Sequence, residues 1–177
     1  MRISIVTPRR LDDISNPDVD VFIAFGTGNW PSMQVELIVE VEFAPLCSPV
    51  LLNKIGGLNG PSDIKKMCLL HLTDYEDWET WLALAGVDQS YASTGIVFSD
   101  MNLVFAATLS GQGVAVGDRF TCRHAMNSGQ LVQPFDISIN SSRSYYLVTS
   151  EAKADNQPVV AFSSWLRSQM LKNDADA

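Results

Sequence analysis

The stretch TGIVFSDMNLVFAATLSGQGVAVG, residues 94–117, decides the fold. Its first five residues are rich in strand formers, and residues 101–109 are almost wholly apolar and long enough for a helix. Two glycines at 111 and 113 then precede an apolar run that ends at Gly117. Strand, helix, glycine turn and strand make a βαβ unit, and the apolar helix is predicted to be buried on most sides.

The segments on either side of this unit continue the alternation of strands and helices. Residues 74–85 carry Trp78, Trp81, Leu82 and Ala85 at the spacing of an amphipathic helix, and Gly86 follows where a C-terminal cap belongs. The pattern also predicts a short helix at 61–66, a strand at 68–72, a helix at 119–128 and a strand at 131–135.

The two ends of the chain carry a second set of elements. Alternation predicts a half-buried strand at Ile3 to Val6, followed by a turn and a short helical piece at 8–14. A β-rich run at 19–25 stops at a loop of Gly, Asn and Pro residues, 26–31. Further strands are predicted at 35–43 and 144–149, and a helix at 158–171, with hinges near Pro45 and within the strand at 144–149.

Composition describes a folded, soluble protein of a reducing compartment. Of the 177 residues, 46% are hydrophobic and 18% charged, which is ordinary globular usage. Three cysteines without a CxxC pair argue against a disulfide framework and favour the cytoplasm. We expect no export or membrane attachment, because the sequence has neither an apolar leader nor a run of roughly 20 apolar residues.

The charge and the motifs exclude several functions. A formal net charge of −8 repels phosphate backbones, so nucleic acid is not an expected partner of this chain. His71 and His124 have no Cys, Asp or Glu at metal-ligand spacing, and no nucleophile elbow, P-loop or dinucleotide fingerprint is present. The chain is therefore expected to be no enzyme and to hold no metal or cofactor.

Polar residues that follow strands are the candidate binding groups. Ser99 and Asp100 lie between a strand and a helix, where Ser99 can cap the helix or the backbone N–H groups can bind an anion. By sequence alone a plain cap is favoured, as a plain turn is for the loop around Thr27, but ligands gather at the carboxyl ends of strands. Tyr145 and Tyr146 alternate on one strand, so only one can be a contact.

An ordered set of motifs runs nearly from end to end of the chain. It comprises Arg9-Arg10-Leu11, Asp18 to Gly26, Phe43 to Pro49, Leu69-Leu70-His71, Trp78 with Trp81-Leu82, Phe98-Ser99-Asp100, Gly111 to Val116, Gly129 to Phe135, Tyr145 to Val148, and Ala161-Phe162 through Leu166. In this order the motifs resemble the effector-binding domain of LysR-type transcriptional regulators, especially the glycine-cleavage activator and AmpR-like branch.

The resemblance implies an α/β periplasmic-binding-protein-like (type II) fold of two lobes. Lobe one would comprise residues 1–47 and 149–177, and lobe two residues 48–148, joined by two crossing hinge strands. A small-molecule effector would bind in the cleft between them, with an anionic group mildly favoured by the helix start at Ser99. Carried over by position, the binding residues are Thr27, Ser99, Asp100 and Tyr145, with Leu70 and His71 as weaker candidates.

Two departures from the family pattern concern the missing parts. We see no winged helix-turn-helix or linker helix, so the chain is not expected to bind an operator alone. The first strand and helix of lobe one are also absent, which would leave backbone groups unpaired at about 1–3 kcal/mol each. We therefore expect a homodimer or pairing with a full-length relative. The alternatives are a dimerising interaction module without a ligand, a solute-binding protein, and an enzyme on the same scaffold.

Overall fold

The computed structural model describes residues 3–7 and 13–175, with side chains through Met170. The strands are β1 (Phe22–Gly26), β2 (Met33–Leu46), β3 (Leu69–Leu72), β4 (Ile96–Phe98), β5 (Val114–Asp118) and β6 (Ile139–Ser150). The helices are α1 (Pro49–Ile55), α2 (Glu76–Leu84), α3 (Met101–Leu109), α4 (Arg123–Asn127) and α5 (Gln157–Ala175), with short 3₁₀-helices at Pro61–Lys66 and Gln89–Ser93. None of the described helices is long and apolar enough to cross a membrane.

The chain divides into two compact units. The first comprises Met1–Val41 and Ser141–Ala177, and the second Glu42–Asn140. Both boundaries fall inside long strands, β2 and β6, which therefore pass from one unit to the other. The resemblance placed the lobe boundaries a few residues further along the same two connections, at 47/48 and 148/149.

The first unit is built on antiparallel pairing between β1 and β6. The register runs from Phe22 opposite Val148 to Gly26 opposite Ser144, and β2 is the other neighbour of β6. Helix α5 buries Val159 and Leu166 in this unit. Its apolar positions follow helical spacing, as the pattern of residues 158–171 predicts.

The predicted strand at Ile3 to Val6 is wrong. Residues 3–7 are irregular, and the side chain of Ile5 is 89% exposed. A strand needs a neighbour to satisfy its backbone N–H and C=O groups, and no described strand pairs with this segment. The turn and short helix predicted at 8–14 lie largely outside the described residues.

The second unit surrounds a mixed sheet of strand order β2-β5-β3-β4. The end of β2 pairs antiparallel with β5, whereas β3 is parallel to β4 and β5. One face carries Trp78 and Trp81 of α2, and the other carries α3. The Gly111 to Gly113 turn returns the chain from α3 to β5, and a Cβ at Gly113 would lie 2.3 Å from the carbonyl oxygen of Cys68.

Three further predictions for this unit are wrong in detail. Residues 131–135 form a single bridge between Val132 and Cys47 instead of a strand, because Pro134 has no N–H to extend the ladder. The predicted helix at 119–128 shortens to α4, after a turn at 119–122. Helix α3 is not buried on most sides: Met101 and Leu103 are 50% and 55% exposed, because the sheet covers only one of its faces.

Candidate functional site

The six predicted binding residues are divided between the two units. Thr27 directly follows β1 and Tyr145 lies in β6, both in the first unit. The second unit holds Leu70 and His71 in β3 and Ser99 and Asp100 directly after β4. Thr27, Ser99 and Asp100 thus occupy the carboxyl ends of strands, where open α/β sheets bind ligands.

Asp100, and not Ser99, caps helix α3. The Asp100 side chain accepts a hydrogen bond from the backbone N–H of Asn102 at 2.7 Å, and its carbonyl accepts from Leu103 at 3.2 Å. The predicted Ser99 cap is therefore wrong, because Asp100 directly precedes the first helical residue and has the extended backbone of a cap. Ser99 is exposed just outside the helix. The Asp100 carboxylate already occupies the helix N-terminus, and its negative charge disfavours the binding of an anionic ligand there.

Leu70 and His71 lie in the interior of the second unit. The Leu70 side chain packs against Val104 and Ala107 of α3, and its carbonyl oxygen accepts a hydrogen bond from the Trp78 indole at 3.1 Å. The His71 ring, which is 2% exposed, stands edge-on to Tyr75 with the ring centroids 4.9 Å apart. Both residues therefore hold β3 in place and present little side-chain surface to a ligand.

The two tyrosines of β6 point to opposite faces of the first unit's sheet. Tyr145 is opposite Phe25 in the register, with ring centroids 5.1 Å apart. Tyr146 packs edge-on to Trp30 at 5.6 Å, and a Cβ at Gly28 would lie 2.9 Å from its hydroxyl oxygen. Tyr146 therefore supports the loop after β1, whereas Tyr145 lies on the Phe25 side.

Arg143 of β6 also lies beside Phe25, and the sequence analysis does not predict it as a site residue. The Arg143 guanidinium lies over the Phe25 ring, 4.6 Å from its centroid, and its Nη2 donates a hydrogen bond to the Phe25 carbonyl oxygen at 3.3 Å. A signal for it was available, because Arg143 precedes Tyr145 by two residues and residues i and i+2 share one face of a strand.

A cavity of about 240 Å³ lies within the first unit, apart from the predicted residues. An ion pair at this cavity joins Arg167 of α5 to Glu36 of β2, with both N–O distances 2.6 Å. The hydrogen bond from Arg167 holds the pKa of the Glu36 carboxyl below its ordinary value. The lining comprises Gln34, Val35, Glu36, Leu147, Thr149, Ala154, Val159, Val160, Ser163 and Arg167.

The described residues offer no metal centre, and two of the three thiols are buried. They contain no group of three or more His, Cys, Asp or Glu side chains that could hold a metal ion. All three cysteines are free thiols, and burial raises the pKa of Cys47 to about 11. A thiol with so high a pKa stays protonated at neutral pH and is a poor nucleophile.

Two α/β units connected by two long strands are typical of the periplasmic-binding-protein-like type II fold class. The chain belongs to the LysR substrate binding domain family, whose model matches residues 2–171. The fold class and the family that the sequence motifs predict are thereby confirmed.

Relatives and solved structures agree with this family. The glycine cleavage system transcriptional activator of Escherichia coli is 34% identical over 157 residues, which are 89% of this chain and 52% of that protein. The HTH-type transcriptional activator AmpR of Enterobacter cloacae is 31% identical over 157 residues, 87% of this chain and 52% of the relative. The AmpR effector binding domain of Citrobacter freundii is 25% identical with a TM-score of 0.77, covering 93% of this chain and 81% of that one.

The chain thus spans about half the length of the curated relatives it matches. The relatives are transcriptional activators, and the matched family is a regulator domain rather than an enzyme. The expectation of a LysR-type effector-binding domain is confirmed over the solute-binding and interaction-module alternatives.

Proposed function

We propose that this chain senses a small-molecule effector for transcriptional control, and that the DNA is contacted by other parts of the regulator. The observation that carries this proposal is the family match over residues 2–171. A ligand that binds one conformation better than another shifts the population between them, which is how such a domain would report its effector. The free cysteines support a reducing cytoplasm as its location.

The binding residues we propose are those that follow the strand ends. Thr27 and Ser99 offer exposed hydroxyl groups, and Tyr145 offers a phenol side chain, both ring and hydroxyl, beside Phe25. Asp100 would act as the helix cap that fixes Ser99, and Leu70 and His71 would support β3 beneath them. The ligands to test first are amino acids, small carboxylates and peptidoglycan fragments.

A thermal-shift screen against these ligand classes tests the proposal. A ligand at about 100 times its dissociation constant stabilises the fold by roughly 2.7 kcal/mol. Ser99→Ala and Tyr145→Phe are expected to reduce the shift, while Tyr146→Phe, on the opposite face of β6, is the matched control. A folded protein that no compound stabilises would contradict effector sensing.

A homodimer, or pairing with a full-length relative, is the second part of the proposal. Four apolar side chains of β4 and α3 are 44–55% exposed in the second unit: Ile96, Val97, Met101 and Leu103. Among the described strands β4 has one neighbour only, so its other edge is open for a second chain. An apolar group at an open edge favours association through this surface.

Light scattering at micromolar concentration tests the dimer. We expect the parent chain to be dimeric and Leu103→Lys to shift it towards monomer. Leu84→Lys is the matched control, because Leu84 is a leucine of α2 with 59% exposure. A monodisperse parent monomer would refute self-association, and an equal effect of both substitutions would refute this surface.

A further inference from the structure

Arg143 lies where the ladder between β1 and β6 ends. The last registered pair is Gly26 with Ser144, so the next residues are Arg143, within β6, and Thr27, which directly follows β1. The guanidinium turns back over Phe25, the residue opposite Tyr145. One cation and two aromatic rings therefore lie together at the strand end where the proposed function places the ligand.

The Arg143 guanidinium is exposed, and no described carboxylate forms an ion pair with it. Other basic side chains of the described residues do have such partners: Arg167 pairs with Glu36, Lys153 with Asp20, and Lys66 with Asp63, at 2.6–3.0 Å. In a chain with 20 acidic and 12 basic residues, an arginine without a carboxylate partner is available for an external anion.

Two contacts with Phe25 also restrain the Arg143 guanidinium before any ligand binds. Stacking on Phe25 and the 3.3 Å hydrogen bond to its carbonyl oxygen restrain a side chain that is otherwise flexible. A guanidinium has five N–H donors, and the bond to Phe25 uses one from Nη2. The remaining donors can bind both oxygens of a planar carboxylate, at a lower entropic cost than for a free side chain.

The other predicted anion site is weaker. At the start of α3 the Asp100 carboxylate already accepts the hydrogen bond from Asn102, and its negative charge repels a second anion. We therefore propose that Arg143 binds a carboxylate of the effector and that the ligand class is a small carboxylic acid, amino acid or peptide. This assignment rests on the proposed sensing function and adds the group that selects the ligand.

Matched pairs of probes test the assignment by isothermal titration calorimetry. Each carboxylate is compared with its neutral amide: glycine with glycinamide, succinate with succinamide, benzoate with benzamide, and alanyl-alanine with its amide. The four pairs separate an amino acid, a dicarboxylate, an aromatic acid and a peptide C-terminus as the source of the carboxylate. The variants are Arg143→Ala and Arg143→Lys. Arg123→Ala is the matched control, because Arg123 also lies over a phenylalanine ring, that of Phe120 at 5.2 Å.

We expect a carboxylate to bind at least tenfold more tightly than its amide. Arg143→Ala should lower that affinity at least tenfold and abolish the preference over the amide, Arg143→Lys should retain part of it, and Arg123→Ala should change neither. If a probe binds and Arg143→Ala leaves its affinity unchanged, the assignment is wrong while the sensing function stands. If no probe binds the folded parent chain, the carboxylate assignment is wrong, and the thermal-shift screen decides separately whether the sensing function stands. Circular dichroism of each variant shows whether it is folded.

Discussion

The Nε2 atom of His71 lies 2.6 Å from the carbonyl oxygen of Thr94. A carbonyl oxygen can only accept, so Nε2 is the donor in this hydrogen bond. The buried Nδ1 has no hydrogen-bond partner among the described residues. The single bond ties the middle of β3 to the segment that leads into β4, and β4 in turn positions Ser99.

The first prediction follows from this bond. His71→Ala removes the hydrogen bond and leaves a cavity beside Tyr75, so we expect the free energy of unfolding to fall by about 2–4 kcal/mol in urea denaturation. His124→Ala, in the exposed part of α4, is the matched control and should change stability by less than about 0.5 kcal/mol. Equal effects of the two substitutions would show that the His71 contacts contribute nothing.

Hydrophobic periodicity predicts most elements of the second unit, because the buried apolar residues of each element recur at regular spacing along the sequence. Trp78, Trp81 and Leu82 recur at helical spacing and are all buried, so the helix could be found without knowing its neighbours. The residues near β3, β4 and β5 were placed on strands for the same reason. The motifs in sequence order then added the family and the two-lobed fold class, which periodicity alone does not specify.

The wrong predictions concern features that depend on contacts between residues far apart in the sequence or on exact helix boundaries, which periodicity does not determine. Ile3 to Val6 alternates like a strand, yet no described strand pairs with it. The choice between Ser99 and Asp100 as cap depends on where the first helical turn begins, and boundaries are set by tertiary packing. The sequence does not indicate Arg143 as a site residue, because its contact with Phe25 depends on the register of two strands. The two residues are 118 positions apart in the chain.

The second prediction concerns the tight approach of β3 to the segment before β4. Gly95 has a φ of +103°, and a Cβ there would lie 2.0 Å from the carbonyl oxygen of Leu69. Gly95→Ala should therefore force the two strands apart and lower the free energy of unfolding by about 2–4 kcal/mol. Gly60→Ala is the control, since its backbone is extended and its Cβ would meet nothing within 4 Å. Thermal unfolding of both variants distinguishes them, and a Gly95→Ala protein as stable as the parent would contradict the geometry.

The third prediction ranks the thiols by their accessibility. Cys47 and Cys122 are buried, burial raises the pKa of both, and Cys68 is only partly buried. Because the thiolate is the reactive form, we expect Cys68 to react first with a thiol reagent at pH 8 in the folded protein. Peptide mapping by mass spectrometry after brief labelling checks the order, and urea-unfolded protein should label all three. Early labelling of Cys47 would show that its strand end opens in solution.

The last prediction is the pH dependence of the ion pair between Glu36 and Arg167. Its hydrogen bond lowers the Glu36 pKa in the folded state, so the stabilisation is present above the ordinary value of 4.5 and is lost as the pH falls through the folded value. Both side chains are about half exposed, so solvent screening limits the pair to about 0.5 kcal/mol. Urea unfolding of Glu36→Gln should show this loss at pH 7 and progressively less of it as the pH falls below 4.5, whereas Glu40→Gln, at an exposed position of the same strand, should show no loss at either pH. A pH-independent difference would mean that Glu36 stabilises the first unit by packing against α5 rather than by its charge.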